Sequence, residues 1–370
     1  MTVSLQERIE SFVKKILIGI LRVHTELSKD AHSPGHSINN ILIIRQHDQL
    51  GDMLCAVPLL RALRYAFPSA RLTLVTGSVS HEVMLHHPYT DVTLLFPKGH
   101  FLPIVKFYRL LRKSTYDLAV VPSTVSFSVT SAVLALISRA PVRIGAGSIN
   151  SEAYPASVCF TIPVKLDWSS DPHRHQAQRN LDILKPLNID NNDLSTVVGL
   201  TEPEKRSASA TLSDIRKKHR TLIGIHPGAG KKENRWSPEK FASLVNRLSH
   251  ETGAGIVMSI GPMDDDVFNQ LSSLIQCEYL LFHNKPIREV AAIIDQLDLF
   301  ISNDTGIMHV AGATAVPLLS LFGPTDPLQW APGGTKNHYL NSRDGTLDTL
   351  SVEHVYEMAL LILSTHRAVS

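Results

Sequence analysis

Short apolar runs alternate with helix-like segments along most of this chain, and this alternation is what most restricts its fold. In the first part of the chain such runs occupy 41–46, 71–76, 92–96, 118–123 and 142–146. Segments with helical periodicity separate them at 59–67, 103–113 and 128–138. Strands that are apolar on both faces and alternate with helices form parallel sheets covered on both sides. The sequence therefore predicts a doubly wound α/β domain.

The same alternation starts again after a pause between about 165 and 215. The second set of predicted strands is 221–230, 255–262, 279–284, 299–304 and 317–324. The second set of predicted helices is 238–250, 265–276, 287–296, 307–314 and 352–365. Two such sets predict two α/β domains joined near 185–215. We assign 1–40 to an N-terminal helix and linker, 41–190 to the first domain and 210–349 to the second.

Composition excludes several classes of protein. The formal net charge of +2 gives no general attraction to nucleic acid. Three cysteines, far apart in the sequence, favour a reducing compartment over a disulfide framework. No apolar stretch reaches the roughly 20 residues that span a bilayer, and the N-terminus is a poor signal peptide. The histidine clusters at 81–87 and 171–176 lack companion ligands at metal spacing, so we predict a cytoplasmic protein without a metal site.

The first 30 residues carry an apolar stripe at helical spacing, with basic residues mostly off that stripe. The stripe consists of Leu5, Ile9, Phe12, Val13, Ile16, Leu17 and Ile20. A basic amphipathic helix can lie on an anionic membrane surface, which would make the protein peripheral on the inner face of the cytoplasmic membrane. The alternative is that the segment packs on the protein itself or on a partner.

Two predicted strand ends in the second domain carry residues suited to an anion. The loop "HPGAG" at 226–230 offers backbone amides that its glycines leave accessible, and "SNDTGIMHVAGA" at 302–313 starts a helix. Ligands of doubly wound sheets bind at the carboxyl ends of strands. The candidate anion-site residues in these two loops are Gly228, Ala229, Gly230, Asp304, Thr305, Gly306 and His309. Ordinary helix capping explains the Asp–Thr–Gly triplet equally simply.

Charged residues lie in sequence between these two loops. Lys231, Lys232 and Arg235 follow the glycine loop and are plausible partners of phosphate oxygens. The alternative is a solvated basic loop. Asp264 begins a run of three aspartates at a predicted helix start, where a carboxylate either accepts ribose hydroxyls or complements the helix dipole.

One carboxylate, Asp52, follows Gly51 just past the end of the first predicted strand. Because Pro58 suits the first turn of a helix, we place the main helix start near 57 and Gly51–Asp52 in the preceding turn. Asp52 then either caps a helix or faces a ligand at the carboxyl edge of the sheet.

Three separated motifs, taken together, resemble bacterial heptosyltransferases, glycosyltransferase family 9. They are "IRQHDQLGDMLCAVPLLRALRYAFPSARLTLVT", "HPGAGKKENRWSPEKFASLV" and "ISNDTGIMHVAGATAVPLLSLFGPTDPLQWAP", in the expected order over roughly 41–340. The resemblance implies the GT-B fold, in which two Rossmann-like domains face each other across a cleft. It also implies an inverting, metal-independent transfer from a nucleotide sugar, typically ADP-heptose, to the lipopolysaccharide inner core. The helix in 350–370 would pack back on the first domain.

The resemblance also implies residue roles. The catalytic carboxylate falls on Asp52, which would act as general base. The nucleotide contacts fall on the anion-site residues named above and on Asp264. One position departs from the family, because Asn234 stands where a lysine commonly contacts donor phosphate. Lys232, Lys231 or Arg235 is predicted to supply that charge, and the alternatives are a donor other than ADP-heptose or weakened activity. Gly51 and Arg143 are predicted to meet the acceptor.

Two other functions fit the same architecture. A sugar-nucleotide epimerase of GT-B topology would need acid–base carboxylates near the sugar in both domains. A binding module that has lost turnover is compatible with Asn234. A Rossmann dehydrogenase is disfavoured because "RQHDQLGD", and not a GxGxxG motif, follows the first strand.

Overall fold

The computed structural model describes residues 37–47, 49–98, 101–122 and 124–367. Contacts divide these residues into two units. Unit 1 contains 37–47, Pro58–His81 and Pro88–Asn192, and unit 2 contains Gln49–Val57, Glu82–His87 and 193–367. The predicted helix within 1–30 and its membrane contact lie outside the described residues.

The sheet of unit 1 is mainly parallel. Its strands are β1 (Asn40–Arg45), β2 (Arg71–Thr76), β3 (Val92–Leu95), β4 (Leu118–Val121), β5 (Val142–Ile149), β6 (Glu152–Ala153) and β7 (Ile162–Leu166). The order is β3-β2-β1-β4-β5, after which β5 pairs in parallel with β7 and in antiparallel with the short β6. Because β1 lies between β2 and β4, the chain winds outward in both directions, as in a Rossmann domain.

The helices of the first half of the chain follow these strands. They are α1 (Leu50–Leu54), α2 (Val57–Ala66), α3 (Ser78–Val83), α4 (Phe101–Lys113), α5 (Val129–Ile137) and α6 (Gln176–Asp182). Strands β1 and β4 are almost wholly buried, which explains their continuous apolar sequences. Arg61 of α2 is buried and donates from Nε to the Tyr89 hydroxyl at 2.9 Å.

Unit 2 contains a second parallel sheet. Its strands are β8 (Leu222–His226), β9 (Gly255–Ile260), β10 (Tyr279–His283), β11 (Leu299–Asn303), β12 (Leu318–Phe322) and β13 (Asn337–Asn341). The order is β10-β9-β8-β11-β12-β13, and every pairing is parallel. The first strand of the set, β8, again lies centrally. Both units therefore have the same doubly wound topology.

Helices on both faces cover the unit 2 sheet. They are α7 (Glu202–Lys218), α8 (Pro238–Thr252), α9 (Asp265–Ser272), α10 (Ile287–Ile294), α11 (Gly306–Gly312), α12 (Pro327–Trp330) and α13 (Val352–Arg367). Capping follows simple rules, since the Ser237 hydroxyl accepts from Lys240 N–H at the start of α8, and Gly253 ends that helix with φ +67°.

The C-terminal helix α13 contributes to the core of unit 2. Its residues Val355, Ala359 and Ile362 are buried in the same core as Trp236 of unit 2. The Trp236 indole N–H donates to the Leu350 carbonyl at 3.0 Å and so fixes the start of α13. The apolar face of α13 is therefore used inside this unit.

Two short segments of the first half of the chain belong to unit 2. Gln49–Val57 contains α1, which packs on α11, and Glu82–His87 is held by Arg288 of α10. The Arg288 guanidinium donates to the carbonyls of Glu82 and Leu85 at 3.1 and 2.9 Å. The assignment of residues 41–190 to the first domain therefore differs from the contacts at these two segments.

No helix among the described residues has both the length and the apolar character needed to cross a bilayer.

Candidate functional site

A cavity of about 400 Å³ lies at the carboxyl ends of the unit 2 strands. β8 and β11 are neighbours in this sheet. After β8 the chain continues to β9 on one side of this pair, and after β11 it continues to β12 on the other side. Ligands of doubly wound sheets bind at such a switch point. Residues at or after the ends of β8, β9, β10 and β11 line the cavity, together with Leu50 of α1. The residues from these strand ends lie within 226–230, 259–264, 284–290 and 305–307. We call it the unit 2 cavity.

Two loops of this cavity meet at Gly228. A Cβ atom at Gly228 would lie 2.1 Å from Cγ of Asp264, so the carboxylate occupies the space that a side chain would fill. The Gly261 N–H donates to Asp264 Oδ2 at 3.0 Å. Gly230, two residues on, has open space where its Cβ would be. The glycine at 228 thus serves close packing, while Gly230 faces the cavity.

Asp264 is buried and surrounded by polar groups. His226 Nε2 lies 3.7 Å from Asp264 Oδ2, and His226 Nδ1 lies 2.9 Å from the Ser259 carbonyl oxygen. Burial lowers the pKa of His226, although the nearby Asp264 carboxylate opposes this effect. His226 is therefore neutral at pH 7, and the nearest cation is Arg235, whose Nη2 lies 4.0 Å from Asp264 Oδ1. Asp264 lines the cavity, as predicted for a donor-site residue, but its oxygens also hold two loops together.

Arg235 joins its own loop to the start of α9. Its Nε donates to the Ala229 carbonyl at 2.8 Å, and its Nη1 donates to Asp266 Oδ2 at 2.9 Å. These contacts fix the buried Ala229 next to the cavity. Lys232 is exposed in the 3-10 turn Lys232–Asn234 that follows the loop. Of the predicted substitutes for the family lysine, Arg235 therefore has a clear structural task, while Lys231 and Lys232 are exposed.

Asn234 is buried and contacts Asp304. Its Nδ2 donates to Asp304 Oδ2 at 3.1 Å and to the Thr325 hydroxyl at 3.3 Å. Burial raises the pKa of Asp304, against the opposing effects of the Thr325 hydroxyl and the Lys231 charge. The departure from the family pattern thus places a neutral amide beside a partly buried carboxyl group.

The loop after β11 brings Thr305 and Gly306 to the cavity, and His309 follows in α11. Thr305 and Gly306 line the cavity, and Thr305 stands at the N-cap of α11 without a capping bond from its side chain. His309 is buried, and its ring meets Trp330 edge to face, with centroids 6.4 Å apart. The ring also lies 2.7 Å from the point where a Gly51 Cβ would be. His309 therefore supports α1 against α11.

Asp52 is the third residue of α1 and is buried, with 7% of its surface exposed. Gly51–Asp52 was expected in a turn, but Leu50–Leu54 forms a short helix whose N-cap is Gln49, so Asp52 is not the N-cap residue. Leu50, two residues earlier, lines the cavity and approaches Gly306. Asp52 therefore lies within unit 2, on a helix that borders the predicted donor site.

Arg143, predicted to meet the acceptor, is committed to the interior of unit 1. Its Nη1 donates to the Ala140 carbonyl at 2.6 Å and its Nε to the Cys159 carbonyl at 2.8 Å. Burial lowers the pKa of this guanidinium. These bonds give Arg143 a structural task, so we do not carry it into the proposed acceptor site.

Sequence reasoning missed the contribution of the turn after β10. Asn284 and Lys285 line the cavity, and Lys285 adds a cation there, 3.5 Å from the Glu289 carboxylate. The signal was present, because "HNKP" directly follows a predicted strand of the same sheet. Treating all strand ends of one sheet as a single edge would have included these residues.

Comparison with known families gives one match over well over half of the chain. The sequence model described as glycosyltransferase family 9 (heptosyltransferase) matches residues 104–358. This segment includes the loops at 226–230, 259–264 and 302–313, while Asp52 precedes it.

Individual proteins agree with this match. Lipopolysaccharide heptosyltransferase 3 of Escherichia coli K12 is 25% identical over 299 residues, which are 76% of this chain and 82% of that protein. A solved family 9 glycosyltransferase from Veillonella parvula superposes with a TM-score of 0.77 at 22% identity, covering 90% of this chain and 100% of that one. The E. coli ADP-heptose lipopolysaccharide heptosyltransferase II superposes with a TM-score of 0.73 at 21% identity, covering 89% and 99%. The predicted GT-B class, with two Rossmann-like domains, is confirmed.

Proposed function

Since the chain belongs to glycosyltransferase family 9 and is a glycosyltransferase, we propose that it transfers heptose from ADP-heptose to a saccharide of the lipopolysaccharide core. The observation that carries this proposal is the unit 2 cavity. It lies at the switch point of a Rossmann-like sheet, where such folds bind nucleotides, and its walls come from the predicted donor loops. The names of the relatives suggest the heptose donor and the lipopolysaccharide acceptor.

The walls of the cavity suit a nucleoside diphosphate. Apolar surface comes from Leu50, Ile260 and Ile287, which suits a base. Polar and charged groups come from Asp264, Lys285 and the main chain at 305–306. We propose that a hydroxyl-bearing sugar binds near the carboxylate and that the diphosphate binds near the cation and the amides. Cations and amides at the departing diphosphate would stabilise the charge that develops there.

We propose Asp52 as the general base of an inverting transfer. A sugar hydroxyl is a weak nucleophile, and a carboxylate placed to accept its proton typically contributes about 10²–10⁴-fold to the rate. The carboxylate is carried by α1, whose Leu50 lines the cavity. Attack on the anomeric carbon from the face opposite the diphosphate would invert its configuration. The bond to ADP breaks as the new glycosidic bond forms, and the acceptor proton passes to Asp52.

The first test is turnover of the full chain with ADP-heptose and a panel of truncated lipopolysaccharide cores. We expect ADP release that depends on acceptor, a product heavier by one heptose, and an inverted anomeric centre by NMR. Isomerised donor sugar would indicate an epimerase, and donor binding without turnover would indicate a binding module. Either of these outcomes would contradict the transferase proposal.

The second test isolates the base. Asp52→Asn keeps the size of the side chain and should lower kcat at least about 10²-fold while ADP affinity and melting temperature stay close to those of the unmodified chain. Glu233→Gln is a matched control, because Glu233 is an exposed acid in the turn after the glycine loop. Turnover of Asp52→Asn equal to that of this control would refute the role of Asp52.

The third test asks which cation replaces the family lysine. Lys285→Ala and Lys232→Ala each remove one charge without breaking a loop-fixing bond, unlike Arg235→Ala. We expect the dissociation constant for ADP, measured by calorimetry, to rise about fivefold to tenfold for the lysine that contacts the diphosphate. Unchanged affinity in both variants would mean that neither lysine supplies the charge.

A further inference from the structure

Helix α4 of unit 1 has an exposed face of unusual composition. Its exposed residues include two leucines and four cations, which we call the α4 surface: Leu102, Lys106, Arg109, Leu110, Arg112 and Lys113. Leu102 is 71% exposed and Leu110 47% exposed. From 92 to 116 the chain contains no acidic residue. Exposed leucines flanked by unopposed cations mark an interaction surface more than a solvated helix face.

The charges of the α4 surface are not neutralised locally. Within the described ranges, no ion pair involves Lys106, Arg109 or Arg112. The two nearest carboxylates in sequence are engaged elsewhere. Asp91 pairs with Arg64 at 2.6 Å, and Asp117 accepts the backbone N–H groups of residues 39 and 40 at 2.7 and 2.8 Å.

The helix dipole explains only part of this composition. Arg112 and Lys113 lie in the last turn of α4, where cations complement the partial negative charge of the helix end. Lys106 and Arg109 precede that turn, and the dipole does not account for exposed leucines. A second function is therefore needed for the rest of the surface.

A cavity of about 340 Å³ adjoins the end of α4. Leu110 and Lys113 form one wall, and Arg71 with Thr73 at the start of β2 forms another. Arg71 and Lys113 thus place two cations around a recess large enough for a phosphate headgroup. The recess is continuous with the α4 surface through Leu110 and Lys113.

We propose that the α4 surface and this recess bind an anionic phospholipid bilayer. The leucines would enter the headgroup region, the four cations would meet lipid phosphates, and the recess would hold one headgroup. A polyanion such as RNA would use the cations but not the leucines, which favours the bilayer. The role of this contact in bringing the enzyme to a lipid-linked acceptor rests on the proposed function, whereas the binding itself does not.

The test measures binding of the full chain to vesicles by sedimentation. Vesicles of phosphatidylcholine with 30% phosphatidylglycerol should bind, pure phosphatidylcholine vesicles should bind much less, and added salt should weaken binding. Each surface cation is worth about 1 kcal/mol near an anionic membrane, or about fivefold in affinity. Lys106→Gln with Arg109→Gln should therefore reduce affinity about 25-fold, and Leu102→Ser should reduce it further.

Two matched controls keep the charge change constant. Lys217→Gln with Lys218→Gln alters paired, exposed lysines of α7 in unit 2 and should leave vesicle binding unchanged. Lys14→Gln with Lys15→Gln alters the N-terminal segment. If only this second pair weakens binding, the α4 proposal is overturned. Melting curves and transfer to a delipidated core acceptor should be the same for the α4 variants and the unmodified chain, which separates failed lipid binding from failed catalysis.

Other occupants give different results. A surface that binds residues 1–30 or a second copy of the chain would not select phosphatidylglycerol over phosphatidylcholine. A surface that binds nucleic acid would retain a single-stranded oligonucleotide in an α4-dependent way and ignore the vesicles. Either result would overturn the membrane proposal.

Discussion

Adding one methyl group at Gly228 should damage the donor site through Asp264. A Cβ at this position would lie 2.1 Å from Asp264 Cγ and 2.2 Å from Oδ1, where ordinary contacts are longer than about 3.4 Å. The carboxylate must therefore move by about 1 Å or more in Gly228→Ala. Because the Gly261 N–H donates to this carboxylate, the movement also disturbs the loop after β9.

Two estimates of the energetic effect agree. If Asp264 moves away, the charge-assisted bond from Gly261 is lost, which costs about 1.5–3 kcal/mol. If Asp264 stays, the loops must separate, and overpacking of a close-packed site costs about 1–3 kcal/mol. We therefore expect a loss of about 2–3 kcal/mol in the free energy of unfolding. For a chain of 370 residues, the midpoint of thermal unfolding should fall by roughly 3–4 °C.

Gly230→Ala provides the control on the same loop. Its Cβ would meet no atom within 4 Å, so we expect less than about 0.5 kcal/mol of destabilisation. Thermal unfolding and ADP titration should be measured for both variants. If Gly228→Ala and Gly230→Ala unfold at the same temperature and bind ADP equally, the packing of Asp264 against residue 228 is not what makes this glycine necessary.

A double-mutant cycle separates the contact from general damage to the loop. In an Asp264→Ala background the carboxylate is absent, so the added methyl at 228 has room. The effect of Gly228→Ala should then fall to that of Gly230→Ala, which gives an interaction energy of about 2 kcal/mol between positions 228 and 264. An undiminished effect in that background would place the damage in the backbone and refute the steric explanation.

Three further predictions follow from contacts inside unit 2. Gly51→Ala would place a Cβ 2.7 Å from the His309 ring and should lower stability by about 1–3 kcal/mol in urea unfolding, and an unchanged midpoint would contradict this. Arg288 lowers the pKa of Glu204 to about 2, so this pair stabilises the fold fully above the unfolded-state pKa near 4.5 and loses its effect as pH falls toward 2. Glu204→Gln should therefore destabilise the chain by about 2 kcal/mol at pH 7, allowing for solvent screening, and by about half as much at pH 3. Trp236→Phe removes the bond to Leu350 and should increase hydrogen exchange at the start of α13, whereas unchanged exchange would show that the apolar contacts of α13 suffice.

The sheets were predictable because their strands are apolar on both faces. Runs such as 41–46 and 299–304 coincide with β1 and β11 because buried parallel strands need no polar face. The strands that escaped prediction lack this signal. Pro163 interrupts β7, which pairs only with β5, and polar residues dominate β13, "NHYLN", at the end of the sheet. The highly polar α7 also fell within the segment expected to be a linker.

The position of α1 in unit 2 was not predictable from local sequence. Residues 49–57 follow β1 directly, so chain continuity assigned them to the first domain. Their contacts depend on Gly306 and His309, more than 250 residues later, which no periodicity reports. The bonds of Arg143 were not predictable either, because its partners are the backbone carbonyls of residues 140 and 159, which no pattern of residue types reports. Packing decides both cases.

The glycines of the site also have a different use from the one the sequence suggested. Accessible amides for a ligand were the expected reason for Gly228, but the missing side chain there is filled by the Asp264 carboxylate. The same holds at Gly51, beside the His309 ring, and at Gly306, where Leu50 lies 3.3 Å from the absent Cβ. The contacts at Gly51 and Gly306 join the helix that carries Asp52 to α11, and the contact at Gly228 joins the loop after β8 to the loop after β9. If Asp52 is the base, its distance from the donor is therefore set by glycine packing, and substitutions at these glycines should lower kcat even where they leave the cavity open.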